Sequence, residues 1–191
     1  METNAMIDLP RSLGLVRTMR AMPVALLLAA GSASAAEEQT INAFSVWNGE
    51  GSVYESGPHL GTFVGSISGT LFVQTEKGPT RGGFMVCPAT LEIDLENATQ
   101  RGQGKCIITG DDGAKIFADW SCQGVHLIGC DGELKLTGGS GRMTGITGAG
   151  LLTVRTTTRV ISTEAKVEGS IAEIGSGILL LEDLTYALPA Q

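Results

Sequence analysis

Few residues of this chain have the chemistry of an active site, and Asp119 is the carboxylate with the most suggestive surroundings. In the strand-like stretch Ala114 to Cys122, Phe117, Asp119 and Ser121 alternate with Ile116, Ala118, Trp120 and Cys122. If the first set lines an interior, Asp119 is a carboxylate among apolar walls, where lost solvation raises its pKa and makes it a usable acid or base. In that register Asp119 is the catalytic candidate, with Phe117 and Ser121 as binding neighbours. The opposite register leaves Asp119 in solvent and Trp120 in the core, and the larger apolar area of Trp favours it.

Other reactive types are sparse. His59 follows Gly57-Pro58 and His126 lies between Gln123 and Gly129, so both histidines fall in predicted loops and read as exposed. No G-x-S-x-G elbow is present to support a Ser-His-Asp hydrolase. Asp111-Asp112-Gly113 opens like a calcium loop, but Ala114-Lys115-Ile116-Phe117 follows and no acidic residue closes the site, so a hairpin turn explains it better. Gly139-Ser140-Gly141-Arg142-Met143-Thr144 puts Thr where a dinucleotide fingerprint needs its third glycine, and no P-loop Gly-Lys-Ser or Gly-Lys-Thr occurs. Asn97-Ala98-Thr99 is a glycosylation sequon whose meaning depends on the host. No cofactor and no metal site is indicated.

The cysteines carry more information. Cys87, Cys106, Cys122 and Cys130 are even in number, and they lack the C-x-x-C pair and the histidine partners of a familiar zinc site. Three disulfide pairings are open. Cys87 with Cys106 and Cys122 with Cys130 is favoured, because each pair flanks one hairpin or strand connection.

These residues must be held by strands. Thr62 to Val73 alternates with period two: Phe63, Gly65, Ile67, Gly69, Leu71 and Val73 share one face, and Thr62, Ser66, Ser68 and Thr70 the other. The same alternation is read from Ile161 through Thr163, Ala165, Val167 and Gly169 to Ile171. Shorter strands are predicted at Gly83 to Leu95, Gly104 to Thr109, Ala114 to Cys122, Glu133 to Thr137 and Gly150 to Thr156. A last one spans Ile178 to Leu181, where a helix is also compatible out to Leu184. Gly82-Gly83, Asp111-Asp112-Gly113 and Asp131-Gly132 supply turn chemistry between them. About eight strands without intervening helices point to an antiparallel sandwich or closed barrel.

The N-terminal 35 residues read as a cleaved secretory signal: Arg17 and Arg20, an apolar run of about ten residues from Ala21, then Ala33-Ser34-Ala35 before Glu37-Glu38. The run is shorter than the roughly 20 residues a membrane span needs. Translation from Met19 is compatible with the same pattern. Residues 36–191 then form one domain, with ten basic and eighteen acidic residues and no basic cluster, which argues against nucleic acid as a partner. The expected location is periplasmic or secreted, with no membrane attachment after cleavage.

The densest turn signal is Gly138-Gly139-Ser140-Gly141-Arg142-Met143-Thr144-Gly145-Ile146-Thr147-Gly148, within Cys130 to Gly150. Its glycines Gly138, Gly139, Gly141, Gly145 and Gly148 are read as permitting positive φ and close strand approach at a barrel corner. Together with Asp111-Asp112-Gly113, Trp120 and the cysteines, this run resembles the bacterial exported relatives of the allene oxide cyclase and dirigent β-barrels, whose hallmark is a GGTGxaxGxxG turn. The resemblance implies a closed antiparallel barrel of about eight strands whose interior is filled by side chains or holds one small ligand. It also implies action largely by shape: a barrel that binds a small apolar or phenolic ligand or serves a structural role without turnover, or alternatively a cofactor-free isomerase or cyclase. The catalytic polar residues of those enzymes have no match here, so the sequence leaves open whether the chain is an enzyme and whether it forms a homo-oligomer. A core packed with Phe, Leu and Val argues against the enzyme, and a pocket of roughly 300 Å³ or more argues for it.

Overall fold

The computed structural model describes residues 38–162 and 169–189, so the signal segment expected at residues 1–35 lies outside the described residues. Eight strands follow one another: β1 (Glu38–Gly57), β2 (Leu60–Thr75), β3 (Gly78–Asp94), β4 (Thr99–Thr109), β5 (Lys115–Val125), β6 (Gly129–Ser140), β7 (Thr147–Ser162) and β8 (Ser170–Ala187). Each pairs antiparallel with its chain neighbours, and β8 returns to β1, closing an up-and-down barrel. Closure removes the exposed edges that an open sheet would present. A single 3₁₀ turn, Gly141–Met143, links β6 to β7.

The period-two pattern decides which side chains enter the barrel. Phe63, Leu71, Met85, Cys87, Ile93, Ile108, Trp120, Leu134, Leu136, Leu152, Leu179 and Leu181 are all buried, while their sequence neighbours face outward. Met85, Leu134, Leu152 and Leu181 are wholly buried and fill the middle of the barrel. Both disulfides lie in this interior. Cys87 on β3 bonds Cys106 on β4 across a Cα separation of 4.1 Å, and Cys122 on β5 bonds Cys130 on β6 across 5.5 Å. Each therefore staples adjacent strands of one hairpin, as the sequence pairing anticipated, and such bonds belong to proteins that fold in an oxidising compartment.

One strand expectation needs correction. Ile161 to Ile171 is not one strand: Ser162 pairs with Ala172, so the chain reverses between them, and Gly169 holds a left-handed φ of +80° in that reversal. The strand expected at Ile178 to Leu181 is present as part of the longer β8, which pairs with both β1 and β7 and leaves no place for the helical alternative out to Leu184. β1 was missed entirely. Its inward positions are Ala43, Ser45, Trp47, Gly49 and Gly51, which apart from Trp47 are too small or too polar to show an alternation in hydropathy.

The turn from β6 to β7 uses its glycines in two ways. Gly138, Gly141, Gly145 and Gly148 adopt positive φ, and Gly141 at +62° is in the region that L side chains avoid. Gly139 does not have positive φ. Its bare Cα instead allows the carbonyls of Lys115 and Met143 to approach closely. The neighbouring turn of β4–β5 is closed by the Gly113 N–H donating to the Gly110 carbonyl at 2.9 Å, and the Arg142 guanidinium reaches across to the Asp112 carboxylate. That bond and the Ala114 N–H hold the Asp112 carboxyl below its ordinary value.

Candidate functional site

The strand registers turn Asp119 outward. It sits opposite Lys105 on β4 and Lys135 on β6, and its carboxylate accepts from Lys105 Nζ at 2.7 Å in a half-exposed ion pair. Ser121 and Phe117 share this outer face, Phe117 being 38% exposed and opposite Ile107. The cavity-facing register that made Asp119 catalytic, and Phe117 and Ser121 binding residues, is thus the wrong one. Trp120 occupies the interior instead, because only its ring has enough apolar surface to fill the space over the bare backbone of β4.

That space is made by glycine. A Cβ on Gly102 would lie 3.1 Å from the Trp120 ring, and one on Gly104 would lie 2.8 Å from Trp120 Nε1. The Trp47 indole lies in the same way over β8, where a Cβ on Gly177 would come within 2.7 Å of Cζ2 and one on Gly175 within 3.5 Å of the ring edge. Both indoles therefore lie flat against backbone. Between them, toward the end of the barrel that carries the β1–β2, β3–β4, β5–β6 and β7–β8 turns, remains a cavity of about 60 Å³. Its apolar walls include Phe63, Ile67, Leu91, Val154 and the Cys122–Cys130 disulfide.

The polar wall comes from β7 and β8. A register shift between Thr156 and Thr158 reverses the inside–outside phase of β7, so Arg159 faces inward opposite Gly175, two positions along β8 from Glu173. Arg159 Nε lies 2.6 Å from Glu173 Oε1, with the two side chains only 15% and 10% exposed. Arg159 Nη1, by contrast, finds no acceptor among the described residues, nor do Trp47 Nε1 and Trp120 Nε1, which lie on the Gly177 and Gly104 sides of their rings. Burial pushes the Glu173 carboxyl above its ordinary value, and the Arg159 charge only partly offsets that push.

Gln100, buried at the start of β4, completes this end. Its Oε1 lies 3.3 Å from His126 Nδ1 in the β5–β6 turn, and the His126 backbone N–H donates to the Ala98 carbonyl at 3.0 Å. His126 is half-buried rather than exposed, and burial, followed by the Arg159 charge, holds its imidazole below the ordinary value. His59, in the β1–β2 turn, is exposed.

The structure thus gathers Trp47, Gln100, Trp120, Arg159 and Glu173, of which the sequence reading had weighed only Trp120. The available signal was the spacing of Glu173, Gly175 and Gly177, a charged residue in phase with two glycines on one strand face. A carboxylate braced by a guanidinium in a partly apolar recess can hold or move a proton, and the remaining Arg159 N–H can hold an acceptor. Neither a scan against protein-family models nor a search of curated proteins finds a match to this sequence.

Proposed function

We propose that the protein is an exported small β-barrel that holds a small ligand at one end of its interior without turning it over. The observation that carries this reading is the cavity between the two indole rings, whose wall holds the buried Arg159–Glu173 pair and an Arg159 Nη1 without an acceptor among the described residues. Buried polar groups are nearly always satisfied, so an unpaired guanidinium nitrogen on the wall of a cavity calls for an occupant. The volume of about 60 Å³ favours a small occupant over the larger apolar or phenolic ligand that the family resemblance implies, since small-molecule sites usually exceed about 300 Å³. Outward-facing Arg101, Lys105, Asp131, Glu133 and Lys135 oppose a lipid-embedded barrel, whose outer band is apolar.

The test uses the mature protein with both disulfides formed. Mass spectrometry should detect a small molecule released on unfolding, or an added solute should shift the emission of the two tryptophans saturably. No released molecule, together with unchanged emission across a broad panel of solutes, refutes the reading.

One observation favours a second reading. Glu173 is a buried carboxyl with a raised pKa beside Arg159, the arrangement of a general acid or base. It supports a cofactor-free isomerase or cyclase of the allene oxide cyclase or dirigent type, with Glu173 taking the role first assigned to Asp119. Once a substrate is identified, Glu173→Gln that binds without turnover supports this reading, and full turnover in that variant ends it.

A further inference from the structure

We infer that the outer face of β8, β1, β2 and β3 docks a second copy of this chain, the two packing as a two-fold dimer.

Phenylalanine points there first. The chain has five, of which Phe63 alone is buried, while Phe44, Phe72, Phe84 and Phe117 lie on the outside of the barrel. Side chains with so much apolar area ordinarily fill an interior. Phe44 and Phe72 oppose each other across β1 and β2 and stack with ring centroids 5.5 Å apart. Leu180 on β8 flanks Phe44, and in the next outward row Ile178, Val46 and Phe84 accompany Thr70. Val46 is 59% exposed and Phe84 45%. Val86, Ile174 and Pro88 continue the apolar positions across the two rows that follow.

Charge separates this face from the rest of the barrel. The outward rows from Phe44 to Glu50, across β8, β1, β2 and β3, hold Glu50 and, at one corner, Arg81, which pairs with Asp111 at 3.4 Å. Strands β4 to β6 instead point Arg101, Lys105, Asp119, Glu133 and Lys135 outward. The remaining positions of the face are polar without charge: Asn48, Ser66, Ser68, Thr70 and Ser176.

These hydroxyls and the amide decide the occupant. In a lipid-facing band they would lose water and gain no partner. A strongly charged partner would find almost nothing to pair with. Hydroxyl and amide groups both donate and accept, so the face is its own hydrogen-bond complement. The mature chain, with eighteen acidic residues against ten basic, repels its copies except where charge is nearly absent. Closure of the barrel leaves no strand edge for pairing, so association has to use a face. Four strands at about 4.8 Å and four rows at about 6.7 Å make about 500 Å² of sheet. Two copies then bury about 1,000 Å² together, the size at which specific interfaces begin.

Sedimentation of the mature protein with both disulfides formed, between about 1 and about 100 μM, should show the mass rise from one chain to two, and added salt should not weaken the association. Val46→Lys puts a charge on both sides of a two-fold interface and should weaken it at least about tenfold with Tm unchanged. Leu151→Lys, on the outside of β7 and equally exposed at 59%, should leave association as it is. If Val46→Lys does not fold, Ser68→Arg carries the same test in the middle of the face. A single-chain mass at every concentration overturns the inference, and so does equal weakening by Val46→Lys and Leu151→Lys. A mass of three or more chains overturns the two-fold pairing. Monomers that float with phosphatidylcholine vesicles, and cease to do so with Val46→Lys, give the face to lipid and overturn the second copy.

Discussion

Removing Arg159 should destabilise the barrel at neutral pH and spare it in mild acid. The Arg159→Met variant keeps an unbranched stem along the cavity wall and leaves the Glu173 carboxylate, only 10% exposed, without its counter-ion. Breaking a buried pair from one side commonly costs about 3–5 kcal/mol. A carboxyl has an escape that limits the loss, because it can take up a proton. Holding it neutral at pH 7 against an unfolded value of about 4.3 costs at most about 3.7 kcal/mol, at about 1.4 kcal/mol per pH unit. The variant should therefore lose about 3 kcal/mol at pH 7 and about 1 kcal/mol at pH 5.

The sign follows from proton counting. The folded-state value of Glu173 is raised, so above the unfolded value the folded protein binds more protons than the unfolded chain. Its contribution is fully present below the unfolded value and is lost as pH rises through the folded one. Without Arg159 the folded value climbs further and the loss extends to higher pH. Urea unfolding with disulfides intact, at pH 5 and 7, compares wild type, Arg159→Met, Glu173→Gln and the double variant Arg159→Met/Glu173→Gln. The double variant should recover to within about 1 kcal/mol of wild type at both pH values, since no buried charge remains. An equal loss for Arg159→Met at pH 5 and pH 7, or a double variant as unstable as the single one, would show that packing, not charge, sets the cost.

Three further outcomes are expected. Gly177→Ala drives a Cβ into the Trp47 indole and toward the Arg155 carbonyl, and should lower stability by about 1–3 kcal/mol with a shift in tryptophan emission; an unchanged Tm places that indole elsewhere. Gly141→Val, at φ +62°, should cost about 1 kcal/mol or more, and a melting curve identical to wild type would make the β6–β7 connection an ordinary loop. Intact mass without reductant should show no alkylatable thiol on a chain beginning near Ala36, and removing Cys122–Cys130 or Cys87–Cys106 should cost about 2.5 and about 3 kcal/mol from loop entropy; four reactive thiols would refute the first part.

What could be read from the residues follows from what the pattern encodes. The inward face of β2, from Phe63 to Leu71, was legible because apolar residues and glycine alternate there with Thr and Ser. The disulfide partners were legible because hairpin neighbours are close in sequence. β1 was hidden by Ser45, Gly49 and Gly51 at inward positions, where smallness serves a neighbouring ring rather than a hydrophobic count. The false strand from Ile161 to Ile171 arose because period two continued by chance across a chain reversal. Asp119 attracted attention as a carboxylate beside Trp120, yet alternation alone leaves the two faces interchangeable until cross-strand partners such as Lys105 fix the register. Arg159 was the least legible of all, since a charge is read as outward and only the register shift after Thr156 brings it in.

The buried pair is hard to explain as a stabilising device. Well-packed apolar side chains in place of a buried ion pair are often neutral or stabilising, and this barrel fills its middle with Met85, Leu134, Leu152 and Leu181. At the polar end the same interior does the opposite: Gly49, Gly102, Gly104, Gly175 and Gly177 withhold side chains around two indoles, and a bulge turns a guanidinium inward. Each feature departs from local preference, and each lies on or beside one small cavity. Departures from local rules concentrate where function needs them. The same sheet therefore packs an apolar core and, a few residues further along its strands, keeps a recess with a buried ion pair on its wall.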